Sequence, residues 1–96
     1  MSASTTASIR MPARVTFANG SEFRKQLFAA MGEQIKHLTI DLSDTQFMDS
    51  AGLGMLLVAL KECQAAGASL TLLKPQGDVK KLLELTRSNE RFQITY

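Results

Sequence analysis

Residues 38–60 read LTIDLSDTQFMDSAGLGMLLVAL, and this stretch divides into a short strand, a polar loop and a helix. Apolar and polar side chains alternate over Leu38–Leu42, which is the period of a strand. After the loop, four leucines follow the i, i+3, i+4, i+7 spacing of a helix with one buried face: Leu53, Leu56, Leu57 and Leu60. The pattern predicts that Ser50 lies at the tip of a helix that follows a strand.

Strand and helix patterns also occur on both sides of this stretch. Residues 9–17 are apolar at every second position, which predicts one strand interrupted near Pro12 or two very short ones. Ser21 is a suitable N-cap for a helix expected from about Glu22 to about Gln34.

Beyond the central helix, Gly67 is expected to end the helix in the left-handed conformation. Residues 70–73 then predict a strand, residues 77–86 a third helix and residues 92–96 a last strand. Strands joined through helices are usually parallel. The sequence therefore predicts an α/β domain, with a small mixed, mostly parallel sheet of about four or five strands and helices packed on it.

Composition limits the classes of protein to which the chain can belong. It has 96 residues, a net charge of +2 and no run of five or more like charges, which suits one small domain without a nucleic-acid-binding arm. The longest apolar run, residues 51–60, is too short to span a membrane. The single cysteine, Cys63, favours a reduced, cytoplasmic setting. We expect a flexible or edge-pairing N-terminus over residues 1–8 and one domain over residues 9–96.

Ser50 is the candidate functional residue. A phosphate there would meet the N–H groups of residues 51–53 at the helix N-terminus and would add nearly two negative charges beside Asp49 and near Asp44. A simpler interpretation is that Asp49 or Ser50 is only an N-cap.

The helix after Ser50 has a second apolar side, formed by Ala51, Met55 and Val58. A helix that is apolar on several sides is either buried or binds a partner, so this side predicts a docking surface or packing within the domain. Gly52 and Gly54 either leave the backbone near Ser50 open to a partner or permit close packing of helix on sheet.

The common sequence motifs of catalysis and cofactor binding are absent from the chain. The chain lacks the phosphate-binding loop, the dinucleotide fingerprint and the nucleophile elbow of hydrolases. Asp41, Asp44 and Asp49 could at most bind a divalent ion weakly. The sequence thus predicts no catalytic residue, no metal site and no cofactor.

Residues 38–43, LTIDLS, and residues 47–54, FMDSAGLG, resemble the central block of STAS domains, particularly the bacterial anti-sigma-factor antagonists. The resemblance extends over residues 9–96. It implies the STAS fold and a partner-switching role in signal transduction and transcription regulation. A serine kinase, the anti-sigma factor, would bind the unphosphorylated chain and release it after phosphorylating Ser50. A metal-dependent serine phosphatase would remove the phosphate. One departure is that Thr16 stands where the family has an acidic residue.

The partner-binding residues expected from the helix surface and the resemblance together are Asp44, Asp49, Ala51, Gly52, Leu53, Gly54, Met55 and Val58. Two other roles stay open: a constitutive STAS adaptor subunit of an ABC-type lipid transport complex, and a sensor of a nucleotide or small molecule. In each case we expect no nucleic acid, no membrane insertion, and a monomer or weak homodimer.

Overall fold

Strands and helices alternate through residues 5–32 and 34–96, which are the part of the chain that this computed structural model describes. The strands are β1 (Thr6–Arg10), β2 (Arg14–Val15), β3 (His37–Asp41), β4 (Phe47–Met48), β5 (Ser69–Leu73) and β6 (Gln93–Thr95). The α-helices are α1 (Gly20–Ala30), α2 (Ser50–Ala66) and α3 (Gly77–Leu85), with single 3₁₀ turns at Phe17–Asn19 and Ser88–Glu90.

The main sheet has four strands in the order β1-β3-β5-β6, and β2 pairs with β4 in a separate two-stranded sheet. All four of these strand pairs are parallel. The parallel order follows from the connections, because each crossover between neighbouring strands of the main sheet contains a helix. The predicted α/β class and strand number are confirmed.

One face of the main sheet forms the core. The strand residues that point to this face are Ile9, Leu38, Ile40, Leu70 and Leu72, each at most 5% exposed. Alternate residues on the other face are mainly polar and partly or fully exposed. The centre of α2 completes the core through Leu56, Ala59 and Cys63, all fully buried.

Helix α1 begins and ends earlier than the sequence predicts. Thr16 caps the 3₁₀ turn that runs directly into α1, so Ser21 lies inside the helix and the assignment of Ser21 as N-cap was wrong. At the other end, Met31 leaves helical geometry at φ −84° and ψ 61°, so the expected extension to Gln34 is also wrong. Gly32 follows immediately and favours termination.

The N-terminal segment forms two strands, β1 and β2, rather than one. The expected alternation over residues 9–17 holds only in part: Ile9, Met11 and Val15 are buried, whereas Ala13 is exposed. Phe17 is 84% exposed because it belongs to the 3₁₀ turn and not to a strand. The part of the expected flexible or edge-pairing N-terminus that falls on residues 1–4 lies outside the described residues.

Gly67 ends α2 in the left-handed conformation, with φ at 71°, as predicted. Its N–H and that of Ala68 donate to carbonyl groups of the last helical turn. Helix α2 therefore runs unbroken for 17 residues from Ser50 to the turn before β5.

Candidate functional site

The loop that precedes Ser50 is held in place by the segment of residues 12–15. The Thr45 hydroxyl donates to the Pro12 carbonyl at 2.9 Å. The N–H groups of Gln46 and Phe47 both donate to the Ala13 carbonyl, at 2.7 and 3.1 Å. Thr45 is fully buried, so its hydroxyl needs this acceptor. The loop is therefore fixed along its length rather than only at its ends.

The β2–β4 pairing extends this attachment to the start of α2. Val15 pairs with Met48, and the Val15 carbonyl accepts a hydrogen bond from the Asp49 N–H at 3.3 Å. On the outside of the pair, the Arg14 guanidinium lies 4.6 Å from the centre of the Phe47 ring. These contacts set the direction in which α2 begins and hence the position of Ser50.

Asp49, and not Ser50, is the N-cap of α2. The Asp49 backbone is extended, and its Oδ1 accepts a hydrogen bond from the Gly52 N–H at 2.8 Å. Ser50 is the first helical residue and is exposed, and its hydroxyl makes no hydrogen bond to any residue in 5–32 or 34–96. Because the cap is supplied by its neighbour, the Ser50 hydroxyl is not used in holding the helix.

Of the three N–H groups at residues 51–53 that are expected to meet a phosphate on Ser50, two already have acceptors in the unphosphorylated chain. The Gly52 N–H is donated to Asp49 Oδ1, and the Leu53 N–H to the Asp49 carbonyl at 3.0 Å. A phosphate on Ser50 would have to displace the Asp49 side chain to reach the Gly52 N–H, and would have to break a backbone hydrogen bond of the helix to reach the Leu53 N–H. Of these three donors, only the Ala51 N–H would be left for the phosphate, which would lie beside the Asp49 carboxylate.

Gly52 and Gly54 have different environments. A Cβ at Gly52 would lie 2.3 Å from the Val15 carbonyl oxygen and 2.7 Å from Met48 Cγ, so the backbone of α2 touches β2 and β4 here. A Cβ at Gly54 would meet nothing within 4 Å. Close packing accounts for Gly52, whereas Gly54 leaves an open backbone on the surface of α2.

The second apolar side of α2 is only partly covered. Ala51 and Met55 are half-buried, and Val58 is 49% exposed. Of the other expected partner-binding residues, Gly52 and Leu53 are buried, Asp49 is half-buried and Asp44 is exposed. The outer surface here consists of Ser50, Gly54 and the side chains of the second apolar side. Buried Gly52 and Leu53 lie beneath it.

Sequence reasoning missed Phe17, which extends this surface. Phe17 lies with Ala51, Met55 and Arg24 around a depression between the start of α1 and the start of α2. The signal for it was the pair Thr16 and Asn19, which form a capping box: Thr16 Oγ1 accepts from the Ala18 N–H at 3.3 Å, and Asn19 Oδ1 from the Thr16 N–H at 2.8 Å. A helical turn beginning at Phe17 directs that ring outward.

The three aspartates at this end of the sheet have separate partners. Asp41 Oδ1 accepts from the Ser43 N–H at 2.9 Å, Asp44 pairs with Arg10 at 3.0 Å, and Asp49 caps α2. Hydrogen bonds from the side chain and backbone of Ser43 lower the pKa of Asp41. Within residues 5–32 and 34–96 there is no group of three or more histidine, cysteine, aspartate or glutamate side chains placed to hold a metal ion.

The capping arrangement gives a direct prediction for stability. Asp49→Ala should lower the free energy of unfolding by about 1 kcal/mol, because it leaves the Gly52 N–H without its acceptor. Ser50→Ala should change it by less than about 0.5 kcal/mol, because this exposed hydroxyl has no structural partner among the described residues. Urea denaturation of both variants measures the difference. A larger loss for Ser50→Ala than for Asp49→Ala would show that the cap is assigned to the wrong residue.

Comparison with known proteins assigns the chain to a family. The sequence model of the STAS domain matches residues 3–96, almost the whole chain. The chain is a STAS domain. The family predicted from residues 38–43 and 47–54 is therefore confirmed.

Solved STAS structures share the fold. The anti-sigma factor antagonist SpoIIAA in its unphosphorylated form is 20% identical, with a TM-score of 0.74, over 100% of this chain and 84% of that one. A candidate anti-sigma factor antagonist from Thermotoga maritima is 25% identical, with a TM-score of 0.75, over 91% and 77%. A sulfate transporter family protein from Wolinella succinogenes is 14% identical, with a TM-score of 0.81, over 94% and 75%. In the described part of this STAS domain, no helix is both long and apolar enough to cross a membrane.

Proposed function

We propose that this STAS domain is a partner-switching regulator of the anti-sigma-factor-antagonist type, and not an enzyme. The unphosphorylated chain binds a serine kinase that is also an anti-sigma factor, and phosphorylation of Ser50 releases it. The observation that carries the proposal is the exposed Ser50 hydroxyl at the first position of α2, with the cap supplied by Asp49. A hydroxyl with no structural task, on a fixed element, suits modification without loss of fold.

The kinase-facing surface in this proposal surrounds Ser50. Gly54 offers open backbone, Met55 and Val58 offer apolar contact, and Asp49 adds negative charge directly before Ser50. Asp44, exposed in the preceding loop and paired with Arg10, is the other acidic residue of the proposed surface. Gly52 acts from below, because its lack of a side chain lets α2 lie against β2 and β4, and Leu53 is buried in the core beneath the surface. A mostly apolar patch with a polar rim matches the usual anatomy of a protein interface.

The physics of release is electrostatic. A phosphate adds nearly two negative charges next to Asp49, and two nearby donors, the N–H groups of Gly52 and Leu53, are already bonded to the side chain and the carbonyl of Asp49. A partner surface that fits a neutral hydroxyl would have to bury this charge without compensation, which is costly. Removal of the phosphate by a metal-dependent serine phosphatase would restore binding.

Two of the solved structures support the proposed role as an anti-sigma factor antagonist. The Thermotoga protein that is 25% identical is a candidate anti-sigma factor antagonist. SpoIIAA, from Bacillus, has also been solved in its phosphorylated form, with a TM-score of 0.73 to this chain. By extension, we propose that the chain acts in the cytoplasm and regulates transcription.

Intact-mass spectrometry after incubation with the cognate kinase and ATP tests the proposal. We expect a single increase of about 80 Da, one phosphate, in the unaltered chain and none in Ser50→Ala. Ser43→Ala is the matched control, because Ser43 is a half-buried serine in the loop before α2 and its substitution should leave the increase intact.

The alternatives predict different results. An adaptor of an ABC-type lipid transport complex would co-purify with an ATPase, and Ser50→Asp would not weaken that association. A nucleotide sensor would gain about 2.7 kcal/mol of stability with ATP or GTP at 100 times its Kd.

Absence of any mass increase with an active cognate kinase would refute the proposed switch.

A further inference from the structure

A groove between α1 and α2 leads away from the start of α2. One end is the depression that Phe17, Ala51 and Met55 line, and the other is a second depression that reaches Glu62. Arg24 lines both depressions, so they are continuous. The two helices run in the same direction here, and the groove follows α2 for about 16 Å. This α1–α2 groove is defined by Phe17, Arg24, Phe28, Met55, Val58 and Glu62.

Contacts between the two helices close the floor of the α1–α2 groove. A Cβ at Gly20 would lie 3.6 Å from Met55 Cε, so the helices touch near the start of α1. Near the end of α1, Cys63 Sγ lies 3.9 Å from Met31 Sδ. Leu27, between these two contacts, is buried. The floor is therefore packed, and only the walls of the groove are free to contact another molecule.

The walls of the groove are apolar and exposed. Among the residues that the structure describes, five large apolar side chains are exposed, and three of them flank this groove: Phe17 at 84%, Phe28 at 72% and Val58 at 49%. The other two, Leu85 and Tyr96, lie at the end of α3 and after β6. A concentration of exposed apolar side chains on one side of a small domain marks an interaction surface.

Two charged residues within this apolar surface have no counterion. Arg24, at the middle of the groove, and Glu62, at its far end, are exposed, and neither makes an ion pair with a residue in 5–32 or 34–96. A partner that complements them carries a carboxylate opposite Arg24 and a cation opposite Glu62. The groove thus favours an occupant with an apolar face and a defined order of charges.

The position of the groove relative to Ser50 indicates which partner covers it. Ala51, which lines the groove, directly follows Ser50. A stable interface covers about 800 Å² of each partner, so a kinase bound at Ser50 must extend well beyond that residue. On the loop before α2, such an interface would meet the exposed polar side chains of Asp44 and Gln46. Along the groove it would instead cover apolar side chains, which favours binding.

We propose that the α1–α2 groove receives an amphipathic helix of the kinase that phosphorylates Ser50. The apolar side of this helix contacts Phe17, Phe28 and Val58, and one of its carboxylates pairs with Arg24. A groove of about 16 Å suits about three helical turns. The inference rests on the proposed function, because it names a second contact of the same kinase. This contact lies away from the Ser50 hydroxyl, so it adds affinity without taking part in phosphate transfer.

Steady-state phosphorylation by the cognate kinase, followed by intact-mass spectrometry, tests the proposal. Phe28→Asp and Arg24→Glu should each raise the KM for the chain about tenfold or more, because each removes a docking contact. Both should leave kcat within about twofold of its original value, because neither residue touches the reacting hydroxyl. Both side chains are exposed, so the circular dichroism spectrum and the Tm should match those of the unaltered chain.

Two matched controls assign the effect to the groove. Leu85→Asp places a charge on another exposed apolar residue, at the end of α3. Lys25→Glu reverses the charge of the residue next to Arg24, and Lys25 lines neither depression. Both control variants should keep the KM of the unaltered chain.

Unaltered KM values for Phe28→Asp and Arg24→Glu, with Ser50 still phosphorylated, would overturn the docking proposal and leave the proposed function standing. An unaltered chain that the kinase does not phosphorylate would overturn both. Sedimentation velocity and flotation with phosphatidylglycerol vesicles test the other occupants. A dimer or a vesicle-bound form that is lost in Phe28→Asp would assign the groove to a second copy or to a lipid surface, and would also overturn the proposal.

Discussion

Replacement of Gly52 by alanine is expected to lower the free energy of unfolding by about 3 kcal/mol or more, a large part of the stability of a small domain. The added methyl group would lie 2.3 Å from the Val15 carbonyl oxygen and 2.7 Å from Met48 Cγ. Met48 can adjust its side chain, but the carbonyl belongs to β2 and can move only if the β2–β4 pair moves. Urea denaturation followed by circular dichroism measures the change.

Gly54→Ala is the control for this prediction, in the same helix and two residues away. Its methyl group meets nothing within 4 Å, so helix propensity alone should raise the free energy of unfolding by up to about 1 kcal/mol. If Gly52→Ala lowers the free energy of unfolding and Gly54→Ala raises it, the cost at position 52 comes from the contact with β2 and β4, and not from the loss of a glycine as such. Equal effects of the two substitutions would contradict the close approach described for Gly52.

Phosphorylation of Ser50 is expected to weaken binding to the cognate kinase by about 100-fold, which corresponds to about 2.8 kcal/mol. The cause is a nearly doubly negative group beside Asp49 that cannot use the Gly52 and Leu53 N–H groups. Ser50→Asp carries one charge and should weaken binding by a smaller factor. Isothermal titration calorimetry with the phosphorylated and unmodified chains measures the ratio.

Ser69→Asp is the control for charge alone. Ser69 is exposed at the start of β5, beyond the far end of α2, which is about 25 Å long. This distance exceeds the Debye length of about 8 Å at physiological ionic strength, so Ser69→Asp should leave kinase affinity unchanged. If Ser69→Asp weakened binding as much as Ser50→Asp, net charge and not the local surface would control release.

The architecture could largely be predicted because its signals are local. The leucine spacing over residues 53–60, the alternation over residues 38–42 and the glycine at position 67 each reflect one element and its own period. The bounds of α1 could not be predicted as well, because Thr16 starts the turn earlier and Met31 leaves the helix before Gly32. Both ends of α1 depend on the backbone conformation at these residues, which the residue type alone does not determine.

The site was only partly predictable, for a related reason. Ser50 at the helix tip follows from the local pattern, but the choice of Asp49 as cap depends on which oxygen reaches the Gly52 N–H. The contacts of residues 12–15 with the loop join segments about 30 residues apart in sequence, and no local period indicates them. The exposure of Phe17 was not predicted because Phe17 fits the alternation of apolar residues over 9–17. The strand ends at Val15, however, and Phe17 is exposed.

The bonds from residues 12–15 to the loop before Ser50 have a consequence for recognition. The hydrogen bond of buried Thr45, the pairing of β2 with β4 and the Asp49 cap hold this loop in place in the absence of any partner. A kinase would then meet a preorganised epitope and would lose no free energy in ordering it. Association should be fast, and discrimination between the two forms of the protein should appear chiefly in the dissociation rate.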